Sequence, residues 1–480
     1  MEASPASSPV VQLKDTSGRI YNVLRDNPLG QGGQGEVLRV ADDRYLAVKL
    51  AFTQDPQEIK DYQEHMSALR YLPLSPQLRL SMPLAILQDS AGYVMRLLGS
   101  MQPLKRLMPN QNRRQDIPVP AWLQQTLGKA APYSASGGLR LRLSLLLQLA
   151  ELLGALHEQG LLFADLSPNN VYVSADSSEV WLIDVDNICY EGSKQLHFYT
   201  PDYGAPELVL GQGCNSQDSD VFSFALLSFE LLTMVKPFEG KAADDQDFGE
   251  STGIEFPWIL DQHDQSNSID ASNLMLLPYL LSKPLLALFA QTFEEGKDKP
   301  NLRPPLWIWR YTLSSTLDVT VRCPHCGMSW VFTEHESTTC PFCDTQLTVL
   351  TAHSDGSLVY AHECTQDPFY LPTRLFAPVT TTADVPCLQV TLLSEQRLRL
   401  SLTAVKQEEL LWALAGQKQQ KLNSVVSAIE VALPTLQEQE LVLQSTHEPR
   451  WQVSLTVRGN LHTVASATAE ESINARGPHD

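Results

Sequence analysis

The sequence predicts an α+β protein of several domains, and three patterns along its 480 residues carry that prediction. Residues 20–98 mostly alternate apolar and polar positions, as strands do, with one helical segment among them. Residues 138–310 then show mostly helical periodicity. Two tight cysteine pairs mark residues 318–350, and strand-like alternation returns over residues 351–463. Since a single hydrophobic core rarely serves more than about 250–300 residues, we expect the chain to divide into domains.

Composition places the chain among acidic globular proteins. Hydrophobic residues make up 43%, charged residues 19%, and the formal net charge is −20. This excess of negative charge argues against unspecific binding to nucleic acid or to an anionic membrane. The N terminus has no basic region before an apolar core, and the long apolar stretches carry charges or prolines, so we expect neither a signal peptide nor a membrane span. We therefore expect a cytoplasmic protein.

A glycine-rich turn lies between the first predicted strands. It follows residues 1–18, which are rich in Ser, Pro and Ala and are expected to be a disordered tail. The frame G-x-G-x-x-G-x-V contains Gly30, Gly32, Gly35 and Val37. Glycine lets the backbone approach a phosphate and present its N–H groups. A strand follows where a dinucleotide-binding fingerprint needs a helix, which disfavours a Rossmann site. A plain glycine-rich hairpin is the alternative.

Lys49 stands among apolar residues in the strand after the glycines. Burying a lone ammonium group is costly, so a phosphate and a carboxylate are the expected partners. Glu64, on a helix predicted to begin at Pro56, is the first candidate for the carboxylate, and Glu58 is the second. The alternative is a lysine on an edge strand that faces solvent.

Two further loops bring acidic residues together with an asparagine. Asp165 and Asn170 stand in a D-x-x-P-x-N frame, which suggests a loop that positions a catalytic base and a metal ligand. Asp184 follows in the stretch LIDVDN. Taken separately, each of these residues could simply cap a turn.

Together these motifs resemble the eukaryotic-like protein kinase superfamily. The stretches GQGGQGEV, AVKL, ADLSPNN, LIDVDN, TPDYGAPE and DVFSF occur in that family's order and approximate spacing over residues 19–310. The likeness is closer to bacterial Ser/Thr kinases than to eukaryotic signalling kinases. It implies a bilobal fold, with a small lobe over residues 19–98 and a large lobe over residues 99–312, that uses ATP and Mg²⁺.

The resemblance implies a role for each matching position. Lys49, steadied by Glu64, would hold the α- and β-phosphates. Asp165 would orient the substrate hydroxyl and accept its proton, and Asn170 and Asp184 would bind Mg²⁺. The implied cofactor-binding residues are Gly30, Gly32, Gly35, Val37, Lys49 and Glu64. Protein substrates and autophosphorylation are expected with this activity.

The stretch TPDYGAPE resembles the end of the family's activation segment. Thr200 is typical there of Ser/Thr kinases rather than Tyr kinases. The resemblance implies that Glu207 pairs with Arg303, and that Asp220 caps and anchors the central helix of the large lobe.

Five positions depart from the family's pattern. Phe163 replaces a His, Ala164 an Arg that often pairs with a phosphorylated activation loop, and Ser167 a Lys that touches the transferring phosphate. Val185 and Asp186 replace the Phe and Gly after the metal-binding Asp. An active kinase is favoured because the groups that carry charge in the reaction are all present. The alternative is a nucleotide-binding pseudokinase scaffold that recruits partners through its C-terminal half.

The C-terminal part begins with a cysteine segment at residues 318–350. Cys323, Cys326, Cys340 and Cys343 form two C-x-x-C pairs that can close a tetrahedral thiolate site, and the segment resembles a zinc ribbon. Four protein ligands leave no open position, so the zinc would be structural; a thiol–disulfide pair is the alternative. Beyond it we expect a β-rich module at 351–464 and a disordered tail at 465–480. The acidity of the chain favours protein over nucleic acid as a partner.

Overall fold

A computed structural model gives the fold of the chain. It describes residues 10–26, 28–32, 35–75, 77–108, 118–192, 197–244, 253–270, 274–334, 337–376, 386–393, 396–403, 410–423, 427–446 and 452–459. The expected C-terminal tail, residues 465–480, lies outside the described residues. The chain forms two compact units. The first unit comprises residues 1–108, 148–268 and 290–307, and the second comprises 109–147, 269–289 and 308–480.

Helices and strands follow one another along the described chain. The helices are α1 (Pro56–Arg70), α2 (Ala121–Leu127), α3 (Ala131–Ala135), α4 (Gly138–His157), α5 (Pro206–Val209), α6 (Gln217–Thr233), α7 (Lys241–Asp244), α8 (Leu277–Leu280), α9 (Lys283–Phe293), α10 (Glu295–Asp298), α11 (Leu306–Asp318) and α12 (Leu433–Glu438). The strands are β1 (Val10–Lys14), β2 (Ile20–Leu24), β3 (Gly30–Gln31), β4 (Gly35–Val40), β5 (Leu46–Ala51), β6 (Ala85–Ile86), β7 (Gly92–Arg96), β8 (Met101–Pro103), β9 (Leu161–Leu162), β10 (Val171–Ser174), β11 (Val180–Leu182), β12 (Cys189–Tyr190), β13 (Thr320–Arg322), β14 (Ser329–Val331), β15 (Thr348–Ser354), β16 (Ser357–Glu363), β17 (Phe369–Pro372), β18 (Pro386–Leu393), β19 (Arg397–Leu402), β20 (Leu410–Leu414), β21 (Gln420–Leu422), β22 (Ala428–Ala432), β23 (Leu441–Ser445) and β24 (Gln452–Gly459).

An antiparallel sheet of the order β1-β2-β4-β5-β7-β6, with β3 also paired to β4, opens the first unit. Its apolar residues alternate along the strands and pack into one core that includes Val23, Leu38 and Val48. Strand β1 lies inside the segment that we expected to be a disordered tail. That expectation is wrong for residues 10–18, because Val11 and Leu13 pack against this core.

Helix α1 begins at Pro56, as the sequence predicts. The side chain of Asp55 accepts hydrogen bonds from the backbone N–H groups of Gln57 and Glu58, and the proline at the first helical position has no N–H to leave unsatisfied. Met66 and Leu69 are buried, which fixes the face that the helix presents to its own unit.

The helical part of the first unit is built around α6. Ser216 caps this helix, and its hydroxyl and that of Ser219 satisfy each other's backbone N–H groups. Nearly all of the helix is buried, as expected for one that is apolar on every face. Phe222 and Phe229 both meet Phe293 edge to face, with ring centroids 5.7 and 6.1 Å apart. This core supports the loops that follow β9 and β11.

The second unit contains two larger antiparallel sheets, ordered β16-β15-β24-β23-β20-β21 and β17-β18-β19-β22. Buried leucines and valines from both sheets form a common core. Arg140, on the first half of α4, binds both carboxylate oxygens of Glu363 on β16 at 2.8 and 2.7 Å. The unit therefore combines the cysteine segment and the C-terminal strands with residues 109–147 and 269–289, which the sequence assigns to the large lobe. The predicted domain boundaries stay predictions.

Among the described helices, none combines the length and the apolar composition that crossing a bilayer requires.

Candidate active site

The glycine frame forms a hairpin at the edge of the first sheet. Gly30 lies opposite Val37, and the N–H of Gly32 donates to the carbonyl of Gly35 at 2.9 Å. A Cβ on Gly35 would lie 2.3 Å from the carbonyl oxygen of Leu50, so only glycine lets β4 pass this close to β5. Gly30 and Gly32 are exposed, and a Cβ on either would meet open space. Their backbone is therefore accessible to a phosphate.

Lys49 lies on β5, directly opposite both Val37 and Tyr93, and is 8% exposed. Its ammonium group forms ion pairs with two carboxylates from the segment after β11. One belongs to Asp184, and the other to Asp186, at 2.8 Å. Lys49 therefore has the expected carboxylate partner, but that partner does not lie on α1.

The expected pairing of Lys49 with Glu64 does not occur in this structure. The Glu64 side chain is 68% exposed, and its carboxylate lies 3.8 Å from the ammonium group of Lys60. Glu58, the second candidate, accepts a hydrogen bond from Thr53. The physical reason is the rotation of α1 about its own axis, since the face that carries Tyr62 is the one directed at Asp186.

The loop after β9 brings together two predicted site residues. The side-chain amide of Asn170 donates to the backbone carbonyl of Asp165 at 2.9 Å and to its Oδ2 at 3.2 Å. Thr200 donates from its hydroxyl to Oδ1 of Asp165 at 2.7 Å. Both oxygens of this carboxylate are thus oriented by neutral donors, so the group stays aimed while remaining able to accept a proton.

Asp220 on α6 anchors the same loop. The carboxylate of Asp220 accepts the backbone N–H groups of Phe163 at 2.8 Å and Ala164 at 2.9 Å, and lies 3.1 Å from Nε2 of His157. Ala164 has a φ of 68°, a left-handed conformation that a residue with a side chain adopts at a cost. Asp220 thus fixes the loop, whereas Ser216, not Asp220, caps α6.

Asp184 is the second residue after the end of β11. It has a φ of 62°, and its side chain is 31% exposed. The N–H of Ile183 donates to the carbonyl of Asn170 at 2.9 Å, which joins this segment to the loop that holds Asp165. The backbone therefore fixes Asn170 and Asp184 on neighbouring segments of the same site.

The predicted pairing of Glu207 with Arg303 is confirmed. Both terminal nitrogens of Arg303 bind the two carboxylate oxygens of Glu207 at 2.8 Å, and the Arg303 side chain is fully buried. The Arg303 guanidinium also lies 4.6 Å from the ring centre of Phe222. This pair ties α5, at the end of the predicted activation segment, to the helical core.

Sequence reasoning missed the contacts that Asp186 makes with Lys49 and with two tyrosines. Tyr62 and Tyr93 donate their hydroxyls to Oδ2 and Oδ1 of Asp186 at 2.7 and 2.8 Å. Burial, and then the charge of Asp186, raises the pKa of both tyrosines, so they stay protonated donors at neutral pH. The available signal was the additional acid two residues after Asp184 in the stretch LIDVDN, which the sequence alone presents only as a lost glycine.

Two other departures from the family's pattern are buried. Phe163 is fully buried, so its apolar ring is accommodated at the position where the resemblance leads us to expect a His. The Ser167 hydroxyl is also buried, and it has no hydrogen-bond partner within the described part of the chain.

The residues of the site suit Mg²⁺ and a nucleotide. The carboxylate of Asp184 and the amide oxygen of Asn170 are hard oxygen ligands, which Mg²⁺ prefers, usually together with substrate phosphates. Lys49 adds a buried ammonium group, and the exposed backbone at Gly30 and Gly32 leaves room for a phosphate to approach closely. The donor set therefore fits the predicted cofactors.

The four cysteines of the C-x-x-C pairs converge in the second unit. Their sulfur atoms all lie within 4.8 Å of one another. The backbone N–H of Cys323 donates to the carbonyl of Met328, and that of Cys340 to the carbonyl of Thr345, so each pair sits on a tight turn. A closed set of four thiols in this arrangement suits a tetrahedral metal ion such as Zn²⁺.

Comparisons with known proteins agree with the geometry. Residues 138–295 match the family described as Protein kinase domain. The serine/threonine-protein kinase pkn2 of Myxococcus xanthus is 27% identical over 239 residues, 46% of this chain and 25% of that protein. The probable serine/threonine-protein kinase mkcF of Dictyostelium discoideum is 34% identical over 116 residues, 24% of this chain and 17% of that protein. Human ribosomal protein S6 kinase alpha-3 is 35% identical over 100 residues, 20% of this chain and 13% of that protein.

These likenesses concern part of the chain. Residues 138–295 are similar to the protein kinase domain, and this similarity is compatible with a bilobal α+β fold. Two of the relatives named here are serine/threonine-protein kinases. The chain matches a quarter or less of the length of each of these relatives.

Proposed function

We propose that the chain is an ATP- and Mg²⁺-dependent serine/threonine protein kinase that transfers the γ-phosphate to a protein hydroxyl and phosphorylates itself. The observation that carries this proposal is the orientation of Asp165 by Thr200 and Asn170, on a loop that a backbone hydrogen bond joins to the segment holding Asp184, the partner of Lys49. We further propose that it acts in the cytoplasm on protein substrates.

Each residue of the site then has a distinct task. Asp165 orients the attacking hydroxyl and accepts its proton through an oxygen that Thr200 already positions. Asn170 and Asp184 would hold Mg²⁺, which supplies neutralisation of the phosphate charge. Lys49 would contact the α- and β-phosphates, and the backbone of Gly30, Gly32 and Gly35, with Val37 beside them, would enclose the nucleotide. Such a site works by alignment and charge compensation rather than covalent chemistry.

The second candidate is a pseudokinase scaffold that binds nucleotide without transferring phosphate and recruits partners through its C-terminal half. The buried hydroxyl of Ser167 favours it, since the family's Lys would bring a positive charge to that position. The first proposal is preferred because a scaffold has no need of an oriented Asp165.

Transfer from radiolabelled ATP, followed by phosphoamino-acid analysis, tests the proposal. We expect label on Ser or Thr. We expect Asp165→Asn to keep its affinity for ATP and to lose turnover on the order of a hundredfold or more, because proton handling acts in the transition state. Label on Tyr alone would contradict the specificity. Mg²⁺–ATP binding with no transfer above that of Asp165→Asn would favour the scaffold.

We also propose that Cys323, Cys326, Cys340 and Cys343 hold one structural zinc ion. The convergence of the four sulfur atoms supports this assignment, and four protein ligands would leave zinc no open position for catalysis.

A further inference from the structure

We propose that Asp186 is the positioning residue for Lys49, in place of the helix glutamate that performs this task in protein kinases. The inference rests on the proposed kinase function for its consequence in catalysis. It assigns a role to a residue that the sequence presents only as the loss of a flexible glycine. The carboxylate that fixes Lys49 would then belong to the metal-binding segment itself rather than to α1.

The contact between Asp186 and Lys49 is shielded from solvent. Oδ2 of Asp186 lies 2.8 Å from Nζ of Lys49, and the two side chains are 13% and 10% exposed. A buried ion pair holds its geometry only if the remaining polar atoms of both groups also find partners. The surroundings of Asp186 meet that condition.

Two tyrosine hydroxyls complete the coordination of this carboxylate. Tyr62 on α1 donates to Oδ2 at 2.7 Å, and Tyr93 on β7 donates to Oδ1 at 2.8 Å. Tyr93 is fully buried and is the direct cross-strand neighbour of Lys49. Nε2 of His65, also on α1, lies 2.7 Å from the backbone carbonyl of Asp186. Asp186 is therefore fixed from the sheet and from the helix at once.

The other carboxylate beside Lys49 differs in accessibility. The Asp184 side chain is 31% exposed, more than twice the exposure of Asp186. Asp184 is thus the acid that a metal ion could reach. Asp186, enclosed by its tyrosines, would remain the partner of Lys49 when a nucleotide is bound.

The helix carboxylates of α1 are not placed for this task. Glu64 is 68% exposed and pairs with Lys60. The face of α1 that meets the site instead offers a neutral hydroxyl, that of Tyr62. Tyr62 links α1 to the site through Asp186, so the position of the helix and the position of Lys49 depend on the same carboxylate.

The test compares Asp186→Asn with Asp61→Asn in the full chain. Asp61 lies on α1 and is exposed. Among the interactions of the described residues, its side chain bonds only to Gln57. Replacing it with Asn therefore removes a negative charge, as Asp186→Asn does, without touching the site. We expect Asp186→Asn to lower kcat by about tenfold or more while the KM for ATP changes less than about threefold, since a misdirected Lys49 fails mainly in the transition state. Asp61→Asn should behave like the wild type.

One further readout does not depend on catalysis, and a second distinguishes positioning of Lys49 from a purely structural role. Hydrogen exchange of the α1 amides should quicken in Asp186→Asn without nucleotide, and remain unchanged in Asp61→Asn, because the tie through Tyr62 is weakened. The double replacement Tyr62→Glu/Asp186→Asn, which returns a carboxylate to the helix, should recover part of the lost kcat. A purely structural role for Asp186 would not predict that recovery.

The variant Tyr62→Phe/Tyr93→Phe keeps both rings in the core and removes both donors, so it serves if Asp186→Asn fails to fold. It should lower kcat in the same direction. The proposal is overturned if Asp186→Asn or Tyr62→Phe/Tyr93→Phe shows the kinetics and the α1 exchange of the wild type. It is also overturned if Glu64→Gln lowers kcat as much as Asp186→Asn does. If the wild type transfers no phosphate, the kinase function fails, whereas α1 exchange still decides the role of Asp186.

Discussion

At the scale of single residues, the site depends on neutral groups that orient charged ones. Thr200 and Asn170 direct the two oxygens of Asp165 without neutralising it, and backbone N–H groups at Phe163 and Ala164 tie its loop to Asp220. Neutral donors aim a carboxylate while leaving its negative charge available to a proton. This combination suits a general base that must remain ionised before the reaction.

Ala164 leads to a prediction about control. In many kinases an Arg at this position binds a phosphorylated activation segment, but the Ala164 side chain is a buried methyl group and its N–H is used by Asp220. We therefore expect activity that does not require phosphorylation of the segment. Protein expressed together with a phosphatase should phosphorylate a substrate as well as untreated protein does.

The control for this experiment is Asp165→Asn, produced in the same way, which sets the background. Loss of activity on dephosphorylation, followed by recovery on rephosphorylation, would contradict the prediction.

At the scale of elements, buried ion pairs join segments that are distant in the sequence. Arg303 links the segment after α10 to Glu207 on α5, and its NH1 group also donates to the carbonyl of Asp218 on α6 at 2.9 Å. Because the guanidinium is fully buried and hydrogen-bonds to both Glu207 and Asp218, the pair holds three elements in one arrangement.

Removing Arg303 should therefore destabilise the protein strongly. We expect Arg303→Ala to lower the free energy of unfolding by about 3–5 kcal/mol, because Glu207 would be left as an unpaired, mostly buried charge. Denaturant unfolding monitored by tryptophan fluorescence measures the change.

The matched control is Arg399→Ala, which breaks an exposed pair with Glu430 whose side chains are 49% and 32% accessible. Screened pairs of this kind contribute about 0–1 kcal/mol, so we expect a small effect. An equal decrease in the free energy of unfolding for the two variants would show that the buried Arg303–Glu207 pair stabilises the protein no more than an exposed pair does.

At the scale of the whole molecule, the candidate active site and the cysteine cluster belong to different compact units. The glycine hairpin, Lys49, Asp165 and Asp184 lie in the first unit, and the four converging cysteines lie in the second. The residues named for each candidate site lie within one unit, so we expect nucleotide binding and metal binding to be separable in experiments.

Zinc should accordingly be bound at one equivalent per chain, and nucleotide binding should not need it. We expect Cys340→Ser/Cys343→Ser to lose the metal, since half of its thiolate ligands are gone, while ATP affinity stays within about twofold for two independent sites. Elemental analysis and titration with a fluorescent ATP analogue measure these quantities.

Cys214→Ser, which lies outside the cluster, is the control and should retain zinc. Zinc-free wild-type protein, or full retention of zinc in the double variant, would refute the assignment.

The sequence by itself determined which polar groups the candidate site contains. Lys49, Asp165, Asn170 and Asp184 follow from short motifs, and the cysteine pairs from their spacing, because those relations are local and survive any rearrangement of the elements. The pairing of Glu207 with Arg303 also followed, since the resemblance supplied both partners.

Only the tertiary structure decided which carboxylate fixes Lys49. Glu64 and Tyr62 are two positions apart on α1, which is about 200° around a helix of 3.6 residues per turn. The rotation of α1 about its axis therefore decides whether the acid of Glu64 or the hydroxyl of Tyr62 faces the site. The sequence could not fix that rotation, because it depends on how Met66 and Leu69 pack into the unit as a whole.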